Sequence, residues 1–132
     1  MGAPGAGFLQ IGQVAERTEL SLKTIRHYDE VGLVQPSARS AGGYRLYTDT
    51  DVERLLVIRR MKPLGFTLAE MNQLLDALAT LDDPAADTAG RDRARVFVQD
   101  MHAQARERCA TLACQLAYAE EFTDLLAART DR

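Results

Sequence analysis

The sequence predicts a mainly α-helical protein: a head of four helices and a small β-hairpin, followed by one long helix. Three observations lead to this fold class. Short apolar stripes with helical spacing alternate with Gly, Pro and capping residues up to about residue 80. Apolar and polar residues alternate with period two only briefly, at 44–47. Residues 91–128 contain neither Gly nor Pro.

Composition narrows the function classes. At 132 residues the chain fits one domain plus an accessory segment, which excludes a large multidomain enzyme. Two cysteines are too few for a disulfide scaffold, and no apolar run approaches the roughly 18 residues of a membrane span. We therefore expect a cytoplasmic protein. Residues 1–8 are small and Gly-rich, and we expect a flexible leader there.

Charge is distributed unevenly along the chain. The net charge is −3, yet residues 17–62 hold nine basic and six acidic side chains, a local +3 that leaves −6 for the rest. A basic head on an acidic body predicts that the head binds a polyanion.

The first two helices are predicted as a helix-turn-helix over about 11–30. Ile11 and Val14 begin an apolar stripe that is interrupted near 18–20 and resumes at Ile25. Ser21 is a favourable N-cap for the second helix, and Gly32 is a plausible left-handed stop.

A small hairpin, or wing, is predicted next, because turn residues at 35–43 precede the alternating segment 44–47. Thr48 and Asp51 resemble a capping box ahead of a third helix that ends near Pro63. Thr67 and Glu70 form a second capping box ahead of a fourth helix. The head is thus predicted to span 9–80.

The remaining residues are predicted as a linker at 81–90, a long helix at 91–128 and a tail at 129–132. A lone helix cannot bury a single apolar stripe, so we expect a two-helix coiled coil with a second copy, parallel or antiparallel. The predicted dimer interface consists of Val98, Met101, Ala105, Cys109, Leu112, Leu116, Ala119, Phe122 and Leu126.

Five motifs occur in a fixed order: Ile-Gly-Gln-Val-Ala at 11–15, Thr-Ile-Arg-His-Tyr-Asp-Glu-Val-Gly-Leu at 24–33, Gly-Tyr-Arg-Leu-Tyr at 43–47, Asp-Val-Glu-Arg-Leu at 51–55 and Leu-Gly-Phe-Thr-Leu at 64–68. This pattern resembles the MerR family of winged helix-turn-helix transcription regulators, over roughly residues 9–78. Three positions depart from the usual pattern of the family. Glu19 replaces Gly in the turn, His27 replaces Tyr, and Pro63 replaces the usual polar residue before Leu64.

The resemblance, together with the need for donors to base edges and phosphates, identifies candidate DNA contacts on the second helix, the wing and the end of the third helix. Some alternatives stay open: Tyr28 and Tyr44 are also plausible core aromatics, and Arg59 and Arg60 also fit a solvated helix face. The candidates are Lys23, Thr24, Arg26, His27, Tyr28, Arg39, Gly43, Tyr44, Arg45, Arg60 and Lys62.

The function implied by the resemblance is that of a bacterial, nucleoid-associated homodimer. It would bind a pseudo-palindromic double-stranded promoter site and distort it, so that RNA polymerase reads an overlong spacer. An architectural or excisionase-like DNA bender, and a coiled-coil adaptor that binds protein, are alternatives. No catalytic grouping or phosphate loop is evident, so an enzyme is not expected.

No metal or cofactor is expected, although a small-molecule effector is compatible with the sequence, either at the dimer interface or between the head and the long helix. Cys109 and Cys114 are five residues apart, about 140° around a helix, and cannot chelate one ion within a chain. Cys109 lies on the apolar stripe, where packing is the simplest interpretation. A redox role for either cysteine stays open.

Overall fold

The computed structural model describes residues 7–131, so most of the predicted leader lies outside the described residues. The chain divides into two compact units, Met1–Leu75 and Asp76–Arg132. The helices and strands, in order, are β1 (Leu9–Gln10), α1 (Ile11–Thr18), α2 (Leu22–Glu30), β2 (Ala38–Arg39), β3 (Arg45–Tyr47), α3 (Asp49–Met61), a 3-10 turn (Lys62–Leu64), α4 (Leu68–Asp82) and α5 (Thr88–Thr130).

The predicted helix-turn-helix is formed by α1 and α2. Ser21 caps α2 as expected, since its hydroxyl oxygen accepts a hydrogen bond from the amide of Thr24 at 3.0 Å. Between the helices, Glu19 has a φ of 58° and ends α1 in the left-handed region. This is the turn position where the sequence has Glu in place of the usual Gly, and the backbone keeps the glycine-like conformation.

The wing is a three-stranded antiparallel sheet in the order β1-β3-β2, which corrects the predicted two-stranded hairpin. Leu9 pairs with Tyr47 on one edge of β3, and Arg39 pairs with Arg45 on the other. The additional strand, β1, is two residues long and continues directly into α1. Two residues are too few to show a period of two, so the sequence pattern does not predict this strand.

Both predicted capping boxes form. Asp51 accepts a hydrogen bond from the amide of Thr48 at 2.9 Å, and Thr48 accepts one from the amide of Asp51 at 3.1 Å. Thr67 and Glu70 make the same reciprocal pair at the start of α4. Because each box satisfies amides that the first helical turn leaves unpaired, these residues fix where α3 and α4 begin.

The core of the first unit lies between the sheet and α1 to α4. Its side chains are mostly aliphatic, as the scarcity of aromatics requires. Those that are fully or almost fully buried are Val14, Ile25, Tyr28, Leu33, Val34, Tyr47, Val52, Leu55, Ile58, Met61, Phe66, Met71 and Leu75.

In the second unit the connection between α4 and α5 is shorter than predicted. Instead of a linker over 81–90, α4 continues to Asp82 and α5 begins at Thr88. The cause is a local cap, because the Asp87 carboxylate accepts a hydrogen bond from the amide of Gly90 at 2.7 Å. Arg91 also closes the loop by donating to the carbonyl oxygens of Asp83 and Ala86. The helix continues to Thr130, beyond the predicted end at 128.

The predicted interface stripe divides by exposure within the single chain. Met101 is buried and Val98 and Ala105 are half-buried, whereas the stripe from Cys109 onward is exposed.

No helix in the described part of the chain is long and apolar enough to cross a membrane.

Candidate nucleic-acid interface

The first half of α2 presents a basic, solvent-facing surface. Lys23, Arg26 and His27 are exposed, while Thr24 is half-buried and its hydroxyl accepts a hydrogen bond from the Ser21 hydroxyl at 2.8 Å. Hydrogen-bond donors on the exposed face of a recognition helix are the groups that contact base edges and phosphates in a major groove.

A basic cleft of about 280 Å³ lies where the wing meets α1 and α2. It brings together the guanidinium-bearing residues Arg26 and Arg45 from elements 19 residues apart in the chain. Two cations beside the first turn of a helix, where unpaired amides give a partial positive charge, favour an anion. The cleft is lined by Gln10, Ile11, Gly12, Arg26, Gly43, Tyr44 and Arg45.

The wing arginines share one carboxylate from α2. Asp29 Oδ2 accepts a hydrogen bond from Arg45 Nε at 2.7 Å and one from Arg39 Nη2 at 3.2 Å. Asp29 is nearly buried, with 8% of its surface exposed. The hydrogen bond to Asp29 raises the pKa of Arg45, so its guanidinium is firmly cationic.

Tyr44 is at the tip of the wing and is 73% exposed. Its amide donates to the Ser40 hydroxyl at 3.1 Å, and its carbonyl accepts from the Ser40 amide at 2.9 Å. Position 43 favours glycine, because its φ of 83° is one that residues with a side chain rarely adopt. Its neighbour Gly42 lies under the Tyr44 ring, where a Cβ would come within 3.0 Å of a ring carbon. The tight turn therefore holds the aromatic ring at the surface.

The basic residues at the end of α3 divide into two roles. Arg60 and Lys62 are exposed and available for a phosphate. Arg59 instead turns toward α1, where its Nη1 donates to the Thr18 carbonyl at 2.7 Å and to Glu19 Oε2 at 3.3 Å. Arg59 and Arg60 were both open to interpretation as a solvated helix face. Arg59 instead makes a structural contact with the end of α1.

Comparison with known proteins identifies the family. A model described as MerR HTH family regulatory protein matches residues 9–78, and a model described as MerR, DNA binding matches residues 52–120. This chain belongs to the MerR family. The resemblance inferred from the five motifs is thereby confirmed, as are the fold class and the general function of DNA-binding transcription regulation.

Three MerR-type proteins illustrate the extent of the similarity. The regulator HmrR of Rhizobium leguminosarum is 38% identical over 99 residues, covering 75% of this chain and 74% of HmrR. The activator mta of Bacillus subtilis is 48% identical over 67 residues, and this chain spans only 26% of its length. A MerR family regulator from Bacillus cereus has a TM-score of 0.62 at 26% identity, over 95% of this chain and 84% of that one.

One predicted contact of this MerR-type head is directed inward. Tyr28 is 2% exposed, so its ring belongs to the core and does not face solvent, as the alternative interpretation of Tyr28 as a core aromatic expects. Its hydroxyl is buried without a hydrogen-bond partner among the described residues. Tyr44 is the converse case, because the alternative that placed it in the core is wrong. The family resemblance placed both aromatics at the interface but did not decide which side each faces.

Sequence reasoning missed two parts of the site. Asp29 lies within the motif at 24–33 but is not among the predicted site residues, although it holds both wing arginines. Gly12 and Gln10 line the basic cleft, yet they were noted only as part of a motif or not at all. The sequence does place Asp29 near the predicted DNA contacts, since it follows Tyr28 in the motif that also contains Arg26.

The described residues contain no cluster of three or more His, Cys, Asp or Glu side chains placed to hold a metal ion. Cys109 and Cys114 are both free thiols on the exposed surface of α5 in the single chain. Burial of Cys109 therefore depends on a partner that covers the stripe.

Proposed function

We propose that this MerR-type protein is a homodimer that binds a pseudo-palindromic promoter site and distorts the DNA between its half-sites. Each α2 would enter a major groove through Lys23, Thr24, Arg26 and His27, while the wing and the end of α3 contact flanking phosphates. The observation that carries the proposal is the basic cleft, where Arg26 of the recognition helix and Arg45 of the wing line the same space.

A backbone phosphate suits the basic cleft better than a base edge does. Both arginines supply several N–H donors, and a guanidinium matches the paired oxygens of a phosphate. Main-chain surface from Gly12 and Gly43 lets an anion approach closely, since neither residue has a side chain. Phosphate contacts of this kind fix the register of a protein on the duplex, and base edges are then read by neighbouring residues of α2.

The test is a salt titration of binding to a site recovered from the host genome by pull-down and sequencing. Arg26→Ala and Arg45→Ala should each weaken binding and reduce the slope of log K against log salt by about 1, the value for one lost phosphate contact. Arg95→Ala is the matched control, because Arg95 is an exposed arginine on α5 whose ion pair is with Asp92, three residues away on the same helix. Unchanged affinity in both head variants would reject the proposed surface.

Dimerisation through α5 is supported by its unpartnered apolar surface. Leu112, Leu116, Phe122 and Leu126 are between 40% and 61% exposed, although large apolar side chains in a row along a helix are stable only when covered. A second copy of the same helix offers a complementary stripe, which a symmetric dimer would bury on both chains at once.

Sedimentation at micromolar concentration tests the dimer. The full chain should sediment as a dimer, and a chain ending at residue 81 as a monomer. Leu116→Asp should dissociate the full chain, because it puts a carboxylate in each copy of the stripe. Ala110→Asp is the control, since Ala110 lies on the opposite side of α5. A monomeric wild-type protein would defeat the argument.

We further propose that RNA polymerase is affected indirectly, through the altered promoter, in the cytoplasm and nucleoid of a bacterium. No metal or cofactor is part of the proposal, and a small-molecule effector would bind at the dimer interface. The location of the DNase footprint separates promoter regulation from architectural bending, because only a regulator protects the spacer between promoter elements. A coiled-coil adaptor would show no salt-dependent affinity for DNA.

A further inference from the structure

Two like charges lie side by side in the wing. Arg39 and Arg45 are direct cross-strand partners on β2 and β3. Like charges at opposed positions of an antiparallel pair destabilise the pairing unless a counterion lies between them. Asp29 is that counterion, because one of its oxygens, Oδ2, accepts a hydrogen bond from both arginines.

The Asp29 carboxylate connects the recognition helix to two residues that line the basic cleft, Arg45 directly and Gly43 through Arg39. Asp29 engages only Nε of Arg45, and Arg45 lines the basic cleft together with Arg26. Arg39 extends the connection, since its Nη1 donates to the carbonyl oxygen of Gly43 at 3.2 Å. Gly43 also lines the basic cleft. Asp29 therefore fixes the distance between α2, which carries Arg26, and the wing.

A negative charge at a DNA-binding surface opposes binding through its field, since it repels phosphates. Asp29 is placed beside two of the proposed phosphate contacts and is nearly buried, where its charge is screened less than at the surface. Asp29 therefore affects DNA affinity in two opposite ways. Its charge weakens binding by repelling phosphates, whereas its hydrogen bonds strengthen binding by positioning the arginines. The sign of one substitution decides between them.

We propose that Asp29 is a positioning residue for DNA binding, which holds the wing against the recognition helix so that Arg45 and Arg26 grip one phosphate. The proposal rests on the proposed function of the basic cleft. Positioning outweighs repulsion here because both hydrogen bonds are charge-assisted and one acceptor atom orients two guanidinium groups.

The experiment measures affinity and salt slope for the full chain on its DNA site, with Asp29→Asn and Glu30→Gln as a matched pair. Each variant removes one negative charge from the end of α2. Glu30 is exposed and its side chain makes no hydrogen bond or ion pair with the described residues, so it acts on Arg45 through its electric field and not through a direct contact. Asp29→Asn should weaken binding about tenfold and reduce the salt slope by about 1, as expected for one misplaced charged contact. Glu30→Gln should bind as well as the wild type or more tightly.

A double-mutant cycle with Arg45→Ala separates positioning from a general loss of stability. If Asp29 acts through the wing arginine, most of the weakening caused by Asp29→Asn should disappear in the Arg45→Ala background. If the substitution merely loosens the head, the same weakening should persist there. Thermal unfolding by circular dichroism shows in parallel that the variants are folded.

Tighter binding by Asp29→Asn, equal to that of Glu30→Gln, would overturn the proposal. Should Asp29→Asn fail to fold, Arg45→Lys provides the second test, because lysine keeps the charge but lacks the Nε donor that Asp29 holds. Wild-type affinity of Arg45→Lys would then refute the positioning role. An Arg45→Ala variant with unchanged affinity would instead reject the proposed cleft function, so the two failures are distinguishable.

Discussion

Arg59 Nη1 donates a hydrogen bond to the main-chain carbonyl of Thr18 at 2.7 Å, across 41 residues of sequence. This bond joins the end of α3 to the end of α1, where the last carbonyls of a helix lack intrahelical partners. It places a cation at the negative end of the α1 dipole and supports the turn that leads into the recognition helix. The neighbouring Arg60 is exposed and is a candidate phosphate contact.

Adjacent arginines should therefore separate stability from DNA binding. Arg59→Ala should lower the free energy of unfolding by about 1 kcal/mol, because a part-buried carbonyl loses its donor. Arg60→Ala should change stability by less than about 0.5 kcal/mol, as is usual for exposed sites, yet it should weaken DNA binding. Urea unfolding and a binding titration on both variants check this. If Arg59→Ala and Arg60→Ala lost the same free energy of unfolding, the contact between Arg59 and Thr18 would contribute no more than an exposed arginine does.

Glu19 has a left-handed backbone that glycine adopts without strain. Glu19→Gly should raise the free energy of unfolding by about 0.5 to 1 kcal/mol, because the relieved strain exceeds the value of a largely exposed ion pair with Arg59. Glu19→Ala is the control, since it loses the ion pair but keeps the strain. Chemical denaturation should rank glycine above the wild type and alanine at or below it.

Tyr47 is fully buried, and its hydroxyl has no hydrogen-bond partner among the described residues. Tyr47→Phe should therefore raise the free energy of unfolding at pH 7 by about 1 kcal/mol, since an unsatisfied buried hydroxyl costs about that much. Tyr118→Phe, at an exposed position on α5, should have no effect. Destabilisation by Tyr47→Phe would imply a partner for the hydroxyl.

The same tyrosine predicts a pH dependence. Burial raises the pKa of Tyr47 above its ordinary value of 10.0. The unfolded chain therefore loses this proton first as pH rises, so Tyr47 leaves the free energy of unfolding independent of pH below about 10 and lowers it as the pH rises further. Denaturant midpoints between pH 8 and 11 should fall less steeply for Tyr47→Phe than for the wild type. Parallel curves would indicate that Tyr47 does not contribute.

The cysteines of α5 test the proposed dimer stripe. Cys109→Ser should lower dimer stability by about 1 kcal/mol or more, because a hydroxyl enters an apolar interface in each copy. Cys114→Ser should be almost silent. Unfolding at two protein concentrations measures the effect. A variant that keeps its dimer but no longer responds to oxidant or metal would show that the replaced cysteine is a sensor.

The sequence by itself determined the features that depend on residues close together in the chain. Ser21 with Thr24, Thr48 with Asp51, and Thr67 with Glu70 are each three residues apart, and all three caps form where they were predicted. A cap needs only one helical turn, so local sequence contains all the information that it requires. The helix-turn-helix, the wing and the long helix follow from such local signals. The family resemblance came instead from the five sequence motifs at 11–15, 24–33, 43–47, 51–55 and 64–68.

The tertiary structure decided what depends on distant residues. Asp29 meets Arg39 and Arg45 from 10 and 16 positions away, and Arg59 reaches Thr18 across 41. β1 exists only because β3 offers an edge for two residues to pair with, and Tyr28 and Tyr44 differ in burial because packing selects one side for each. Periodicity indicates which face of an element is apolar, but which partner meets that face is set by the whole fold, since the pairing gains energy only when both elements are in place.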